Sequence, residues 1–329
     1  MKNTLKFTFA ALAASALLAA CGSGNDLHLP ATPAASSIVE TAKADPANFS
    51  SLVAALAFAS DNNDLVDTLS KAGTYTVFAP TNAAFDKLAV ELLGTGKTAT
   101  DLLVPANKAL VRSVLQAHVL GATVLAAQVP IGKAIDPILA GTSDIFFVEQ
   151  AGTVLTINDG RNRKTVISKT DIAANNGVIH VLDRVLLPAN KNIVETAVAV
   201  SDFSILVEAV LAADLAPALS GAGPLTVFAP TNAAFAAALT ELGVTKEALL
   251  ANKPLLAKIL TYHVVAARVL KADVPVGNPI TTLQGETFTV DSTLAITDQR
   301  GRKANVTSTN ILAGNGVVHI IDKVILPKP

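Results

Sequence analysis

The apolar positions of this 329-residue chain fall into helical spacing and then into short strand-like runs, and the whole sequence of spacings occurs twice. Ile38 to Ala42 opens a short helix. Asp45 or Asn48 is placed to cap the next one, where Phe49, Leu52, Val53, Leu56 and Ala57 recur at helical spacing. Leu65, Val66 and Leu69 form a third, stopped near Gly73, and Leu88, Leu92 and Leu93 a fourth. After a Gly/Thr-rich turn at 94–100, Leu110, Val111, Val114 and Leu115 lead to His118. Beyond His118 the period changes. Val124–Val129, Ile135–Leu139, Ile145–Val148, Val154–Ile157 and Thr165–Ile167 are short β-type runs separated by Gly, Asp and Asn. Asn158-Asp159-Gly160 predicts a hairpin turn in which Gly160 takes the positive φ, and Asn176-Gly177 predicts a tight turn. Helices first and strands after predict an α+β fold with a mainly antiparallel sheet.

The stretch Thr76 to Phe85 recurs unchanged at Thr226 to Phe235. Thr-Val-Phe suits a half-buried strand, and Pro80 and Pro230 end it because proline donates nothing to a ladder. Thr81 and Thr231 can cap the following helix, with the proline and Phe85 or Phe235 placed as a hydrophobic staple. The box therefore reads as a fold instruction, with Phe78, Phe85, Phe228 and Phe235 as core candidates. The offset between copies falls from 150 at the box to 145 at His118/His263 and 139 at His180/His319, so the second copy is shorter in its loops. Ala189 to Lys191 is too short a connection for free tumbling, which predicts a fixed tandem with a modest interface.

The box resembles the first signature of the fasciclin (FAS1) domain family. Asn176-Gly-Val-Ile-His-Val-Leu-Asp183 and Asn315-Gly-Val-Val-His-Ile-Ile-Asp322 resemble its second. The resemblance implies two tandem fasciclin-like domains, 37–188 and 191–327, each a mainly antiparallel β-sandwich or wedge with packed short helices.

Residues 1–20 add an address. Lys2 and Lys6 precede an apolar run that is too short and Ala-rich for a spanning helix, the pattern of a secretory signal. It ends in Leu18-Ala19-Ala20-Cys21-Gly22, which resembles a bacterial lipoprotein box with Cys21 as the lipidated residue. Residues 21–36 then form a flexible tether, and Gly22 after the cysteine resembles outer-membrane sorting if the cell is Gram-negative. Cys21 is the only cysteine, so no disulfide within the chain is expected.

Composition narrows the function. A net charge of −1 offers no basic footprint for nucleic acid. Trp is absent and Tyr occurs twice, so stacking platforms for sugars or bases are scarce. His118/His263 and His180/His319 recur but do not gather the three or four ligands of a metal site, and no cofactor motif is present. No nucleophile elbow or phosphate loop occurs. Tyr262-His263 resembles the family's Tyr-His motif, which implies integrin contact or core integrity; the first copy has Ala117-His118. Asp171-Ile172, with Asn310-Ile311 as its counterpart, resembles a recognition motif of animal family members, and the same residues also suit a capped turn. The expectation is a non-catalytic, membrane-anchored surface or periplasmic module that contacts a protein or matrix partner. Its sites would be Asp171, Ile172, Asn310, Ile311, Tyr262 and His263. The alternative is a carrier of a small apolar ligand.

Overall fold

The box strand becomes the buried middle of each half of the molecule because its two faces meet two different cores. In the computed structural model, which describes residues 36–62, 64–138 and 144–329, the first copy runs α1 (Ile38–Ala44), α2 (Pro46–Ala59), α3 (Asp64–Ser70), β1 (Tyr75–Pro80), α4 (Asn82–Leu93), α5 (Ala99–Leu102) and α6 (Lys108–Ala117). There follow β2 (Val119–Leu120), β3 (Ala134–Ile135), β4 (Phe146–Ala151), β5 (Val154–Asn158), β6 (Lys164–Ala174) and β7 (Gly177–Leu182). The second copy repeats this as α7 (Ile193–Val198), α8 (Ser204–Ala212), α9 (Ala216–Ser220), β8 (Leu225–Pro230), α10 (Asn232–Leu242), α11 (Lys246–Ala251) and α12 (Lys253–Tyr262). It closes with β9 (Val264–Val265), β10 (Pro279–Thr281), β11 (Thr287–Val290), β12 (Ala295–Thr297), β13 (Lys303–Ala313) and β14 (Gly316–Ile321). The expected signal segment, Cys21 and most of the expected tether lie outside the described residues.

Each copy is one curled seven-stranded sheet with short helices packed on it, ordered β2-β1-β7-β6-β5-β4-β3 and β10-β11-β12-β13-β14-β8-β9. All neighbours are antiparallel except β1/β7 and β8/β14, which run parallel in the register Phe78↔His180 and Phe228↔His319. The first and second signatures are thus side by side in each sheet. Val77, Ala79, Ile179 and Val181 face the helices. Phe78 and Leu182 face inward, against Phe146, Ile157 and Leu186. The register of β6 shifts between Ile167 and Lys169 and again before Ile172. Such bulges bend a strand, so the first part of β6 pairs with β5 and the rest with β7, and the sheet curls over the Phe78 core. Thr81 and Thr231 cap α4 and α10 by accepting from Ala84 N and Ala234 N.

Two local expectations are corrected. Val124–Val129 is not a strand but an extended loop with a 3₁₀ turn at Ala126–Gln128. The reason is the buried hydroxyl of Thr76, which donates to Ala122 O (2.7 Å) and accepts from Val124 N (2.8 Å), pulling this backbone away from a ladder. In the turn after β5 the left-handed residue is Asn162 (φ 60°), not Gly160. Glycine is required at 160 for space, since a Cβ there would collide with the backbone of Ala189.

The junction between copies is tied down. Ala189 N donates to Asp144 Oδ1 (2.8 Å) and Gly314 N to Lys191 O (2.8 Å). Ile145 and Phe147 of the first copy pack against Leu270, Leu312 and Val317 of the second. Asn162 reaches across with both ends of its amide, accepting from Leu312 N (2.6 Å) and donating to Leu312 O (3.0 Å).

Candidate functional site

The expected recognition turns are built by a histidine. Asp171 has φ 59°, a left-handed conformation that Asp tolerates, and its N–H donates to His180 Nδ1 (3.2 Å). That bond leaves the ring proton on Nε2, which donates to Val124 O (2.9 Å). The Asp171 carboxylate accepts from Ala126 N (2.9 Å). Asn310 repeats every contact: φ 61°, its N–H to His319 Nδ1 (3.2 Å), His319 Nε2 to Val269 O (2.8 Å), and Lys271 N to its side-chain oxygen (2.8 Å). The amide oxygen of Asn performs the same task as the carboxylate, so the replacement keeps the turn and removes a charge. Burial lowers the pKa of His319 and holds the ring neutral.

His118 and His263 form a second repeated bridge. Their Nδ1 atoms meet Val114 O (2.7 Å) and Ile259 O (2.8 Å) one helical turn back. Their Nε2 atoms accept from Leu186 N (2.9 Å) and Ile325 N (3.1 Å) on the closing segments. Both rings are buried, and burial pushes each pKa down to about 4. All four repeated histidines therefore use both ring nitrogens on backbone groups. Among the described residues no group of three or more His, Cys, Asp or Glu could hold a metal ion.

The turn and the loop after His118 share one surface, and the two copies use it differently. In the second copy it is covered by the first: Leu270 and Leu312 are 0% and 2% exposed, pressed by Phe147 and Ile145. Asp273 there pairs with Lys133 (2.7 Å) and Arg268 with Asp136 (3.5 Å). In the first copy the equivalent of Leu270 is Leu125, 44% exposed, flanked by exposed Thr123, Gln128, Asp171 and Ala173. Among the described residues, the face that joins the copies in one repeat is open in the other.

The family model of the fasciclin domain matches residues 47–188 and 201–327. The chain belongs to the fasciclin domain family. Among its relatives, the Synechocystis protein sll1483 is 49% identical over 138 residues, 41% of this chain and 73% of that protein. Human periostin is 29% identical over 268 residues, 82% of this chain and 30% of periostin. The Sus scrofa transforming growth factor-beta-induced protein ig-h3 is 29% identical over 255 residues, 78% of this chain and 35% of its length. The chain thus spans about a third of these two animal relatives. A solved fasciclin-domain pair from the insect cell adhesion molecule Fasciclin I covers 79% of this chain and 91% of its own at 17% identity, with a TM-score of 0.40.

Within this fasciclin pair the expected site residues separate. Asp171 is exposed, while Ile172, Asn310 and Ile311 are half-buried at the same turns. Tyr262 and His263 are corrected to core residues: they are 0% and 2% exposed, and the Tyr262 hydroxyl donates to Thr287 O (2.8 Å). Tyr262 fills the second inner core with Phe228 and Phe288, where the first copy has only Ala117. One repeated feature has its signal in the sequence as Asp-x-Arg-x-Arg, at Asp159-Gly-Arg161-Asn-Arg163 and Asp298-Gln-Arg300-Gly-Arg302. Asp159, 1% exposed, accepts from Arg163 (2.8 Å) and from Leu187 N (3.0 Å). Asp298 does the same with Arg302 and Leu326 N. These buried pairs staple the hairpin to the closing segment of each domain.

Proposed function

We propose that the chain is an exported, non-catalytic interaction module, lipidated at Cys21, and that the open face of the first fasciclin domain around Leu125 and Asp171 docks a protein or matrix partner. One observation carries the reading: the same face in the second domain is already an interface, and in the first it is built to the same plan and no described residue covers it. The partner differs from a further copy of the chain. The edge that covers the second domain uses Ile145, Phe147 and Asn162, and the corresponding free edge of the second domain has Thr287, Thr289 and Gly301. Its complement has changed too, with Thr123 and Gln128 where the second domain has Arg268 and Asp273. Head-to-tail extension would bring mismatched faces together, which is how natural surfaces avoid open-ended assembly. The engagement of every repeated histidine with backbone supports the non-catalytic part. The apolar run before Cys21 supports export, and multiple acyl chains on that residue would hold the module to a bilayer, the outer membrane in a Gram-negative cell. Deleting the protein is expected to weaken surface attachment or cohesion of the cells that carry it. Cys21→Ser is expected to move it from the membrane to the soluble fraction. Unchanged attachment on every surface tried would overturn the interaction role, and unchanged fractionation the anchor.

A further inference from the structure

In the first fasciclin domain the helices α4, α5 and α6 do not close tightly on one another. In the first domain this region holds a cavity of about 250 Å³. The spaces beneath the N-terminal helices, about 40 and 30 Å³ in the two domains, have room for little more than water. The larger cavity is lined by Leu92, Leu93 and Leu110, each between 41% and 43% exposed, and by Val111 and Val114 below them.

The sequence difference between the copies explains it. His118 follows Phe85 by 33 positions, whereas His263 follows Phe235 by 28, so the first domain has a longer segment here. At the two positions lining the floor, Val111 and Val114 stand where the second domain has Leu256 and Ile259. Leu256 is 0% exposed and fills its own domain. The extra methylenes that close the second domain are missing from the first.

Among the described residues, Arg161 is the one charged side chain lining the cavity. Its Nε donates to Pro188 O (3.3 Å), and it forms no ion pair among the described residues. Its neighbour Arg163, by contrast, is matched by Asp159 and Glu91. A guanidinium against aliphatic walls disfavours a purely apolar occupant, which would strip water from the charge without replacing it. A carboxylate can pair with it in the planar, bidentate manner that arginine favours. The volume lies below the usual range for drug-sized ligands, which selects one alkyl chain over a pigment.

We propose that this cavity is a binding site for a medium-chain alkyl carboxylate, with the tail on the leucines of α4 and α6 and the head on Arg161. The site is separate from the docking face, so either can fail without the other.

The test titrates the full-length Cys21→Ser chain, free of its own acyl groups, by calorimetry with dodecanoate and with dodecan-1-ol, each below its aggregation limit. Saturable one-to-one binding of dodecanoate is expected, at least tenfold tighter than the alcohol. Arg161→Gln should bring dodecanoate down to the level of the alcohol. Val111→Leu with Val114→Ile, which copies the second domain, should weaken both at least tenfold while circular dichroism stays unchanged. Absence of saturable binding would overturn the proposal. So would equal affinity for acid and alcohol, or full binding by the filled variant.

Discussion

Acidification tests the histidine bridges quantitatively. His118 and His263 have pKa values near 4 in the folded chain, because burial in the helix-to-strand corner disfavours the charged ring. The unfolded value is about 6.5. The unfolded chain therefore takes up a proton first as pH falls. The stability these rings provide is fully present above about pH 6.5 and is lost progressively toward pH 4. Between pH 7 and pH 5 the linkage amounts to about 2 kcal/mol per ring, or about 4 kcal/mol for the pair. Each domain holds one ring, so each loses about 2 kcal/mol of an ordinary domain's stability of roughly 5–15 kcal/mol. Carboxylates add little in this interval: Asp64 is held well below the usual range by Arg112, and Asp291 sits at about 2, held down by Thr293 and Ala295, so both titrate at lower pH. The assay is urea unfolding at pH 7, 6 and 5, following midpoint and slope in wild type and in His118→Gln/His263→Gln. Wild type is expected to lose at least about 4 kcal/mol over this interval, and the variant, whatever its stability at pH 7, should show a flatter dependence, with buried His319 keeping a remainder. A wild-type midpoint that does not move between pH 7 and 5, or one that moves equally in the variant, would refute the neutral-bridge assignment.

Two further perturbations address the cores and the junction. Phe235→Ala removes a ring that is 2% exposed and should cost about 3–5 kcal/mol in a denaturant melt; no change in midpoint would contradict its place in the second core. Phe147→Thr places at the junction the residue that the second domain carries at its free edge, Thr289. It should split thermal unfolding into two transitions measured by calorimetry, while a single unchanged transition would show that Phe147 does not couple the domains.

Much of the fold was legible in the residues. The identical box announced the repeat, and helical spacing placed α1 to α4 and α6 because amphipathic faces against a sheet leave a strong periodic trace. The parallel pairing of β1 with β7 was not legible, since it joins segments about a hundred residues apart and no local rule fixes it. The loop at Val124 looked like a strand because it is mostly apolar with a β-branched valine at each end; a hydroxyl far away in the chain, on Thr76, decides otherwise. Tyr262 carried a family motif, yet its neighbours Phe228 and Phe288 make it a core residue. The Asp171 and Asn310 turns were readable as turns from residue type alone. What distinguishes them, one open and one covered, depends on Phe147, and only the tertiary arrangement shows which surface that ring meets.

Leu125 is the most direct handle on the open face of the first domain. Leu125 is 44% exposed, so Leu125→Glu should change folding stability by no more than about 0.5 kcal/mol. The decisive measurement compares attachment of cells carrying wild type, Leu125→Glu, or Leu211→Glu, a control on an exposed helix of the second domain. Attachment should fall to the level of the deletion strain with Leu125→Glu and remain at the wild-type level with Leu211→Glu, at equal surface abundance. Full attachment with Leu125→Glu, or equal losses with both, would contradict a partner site on this face.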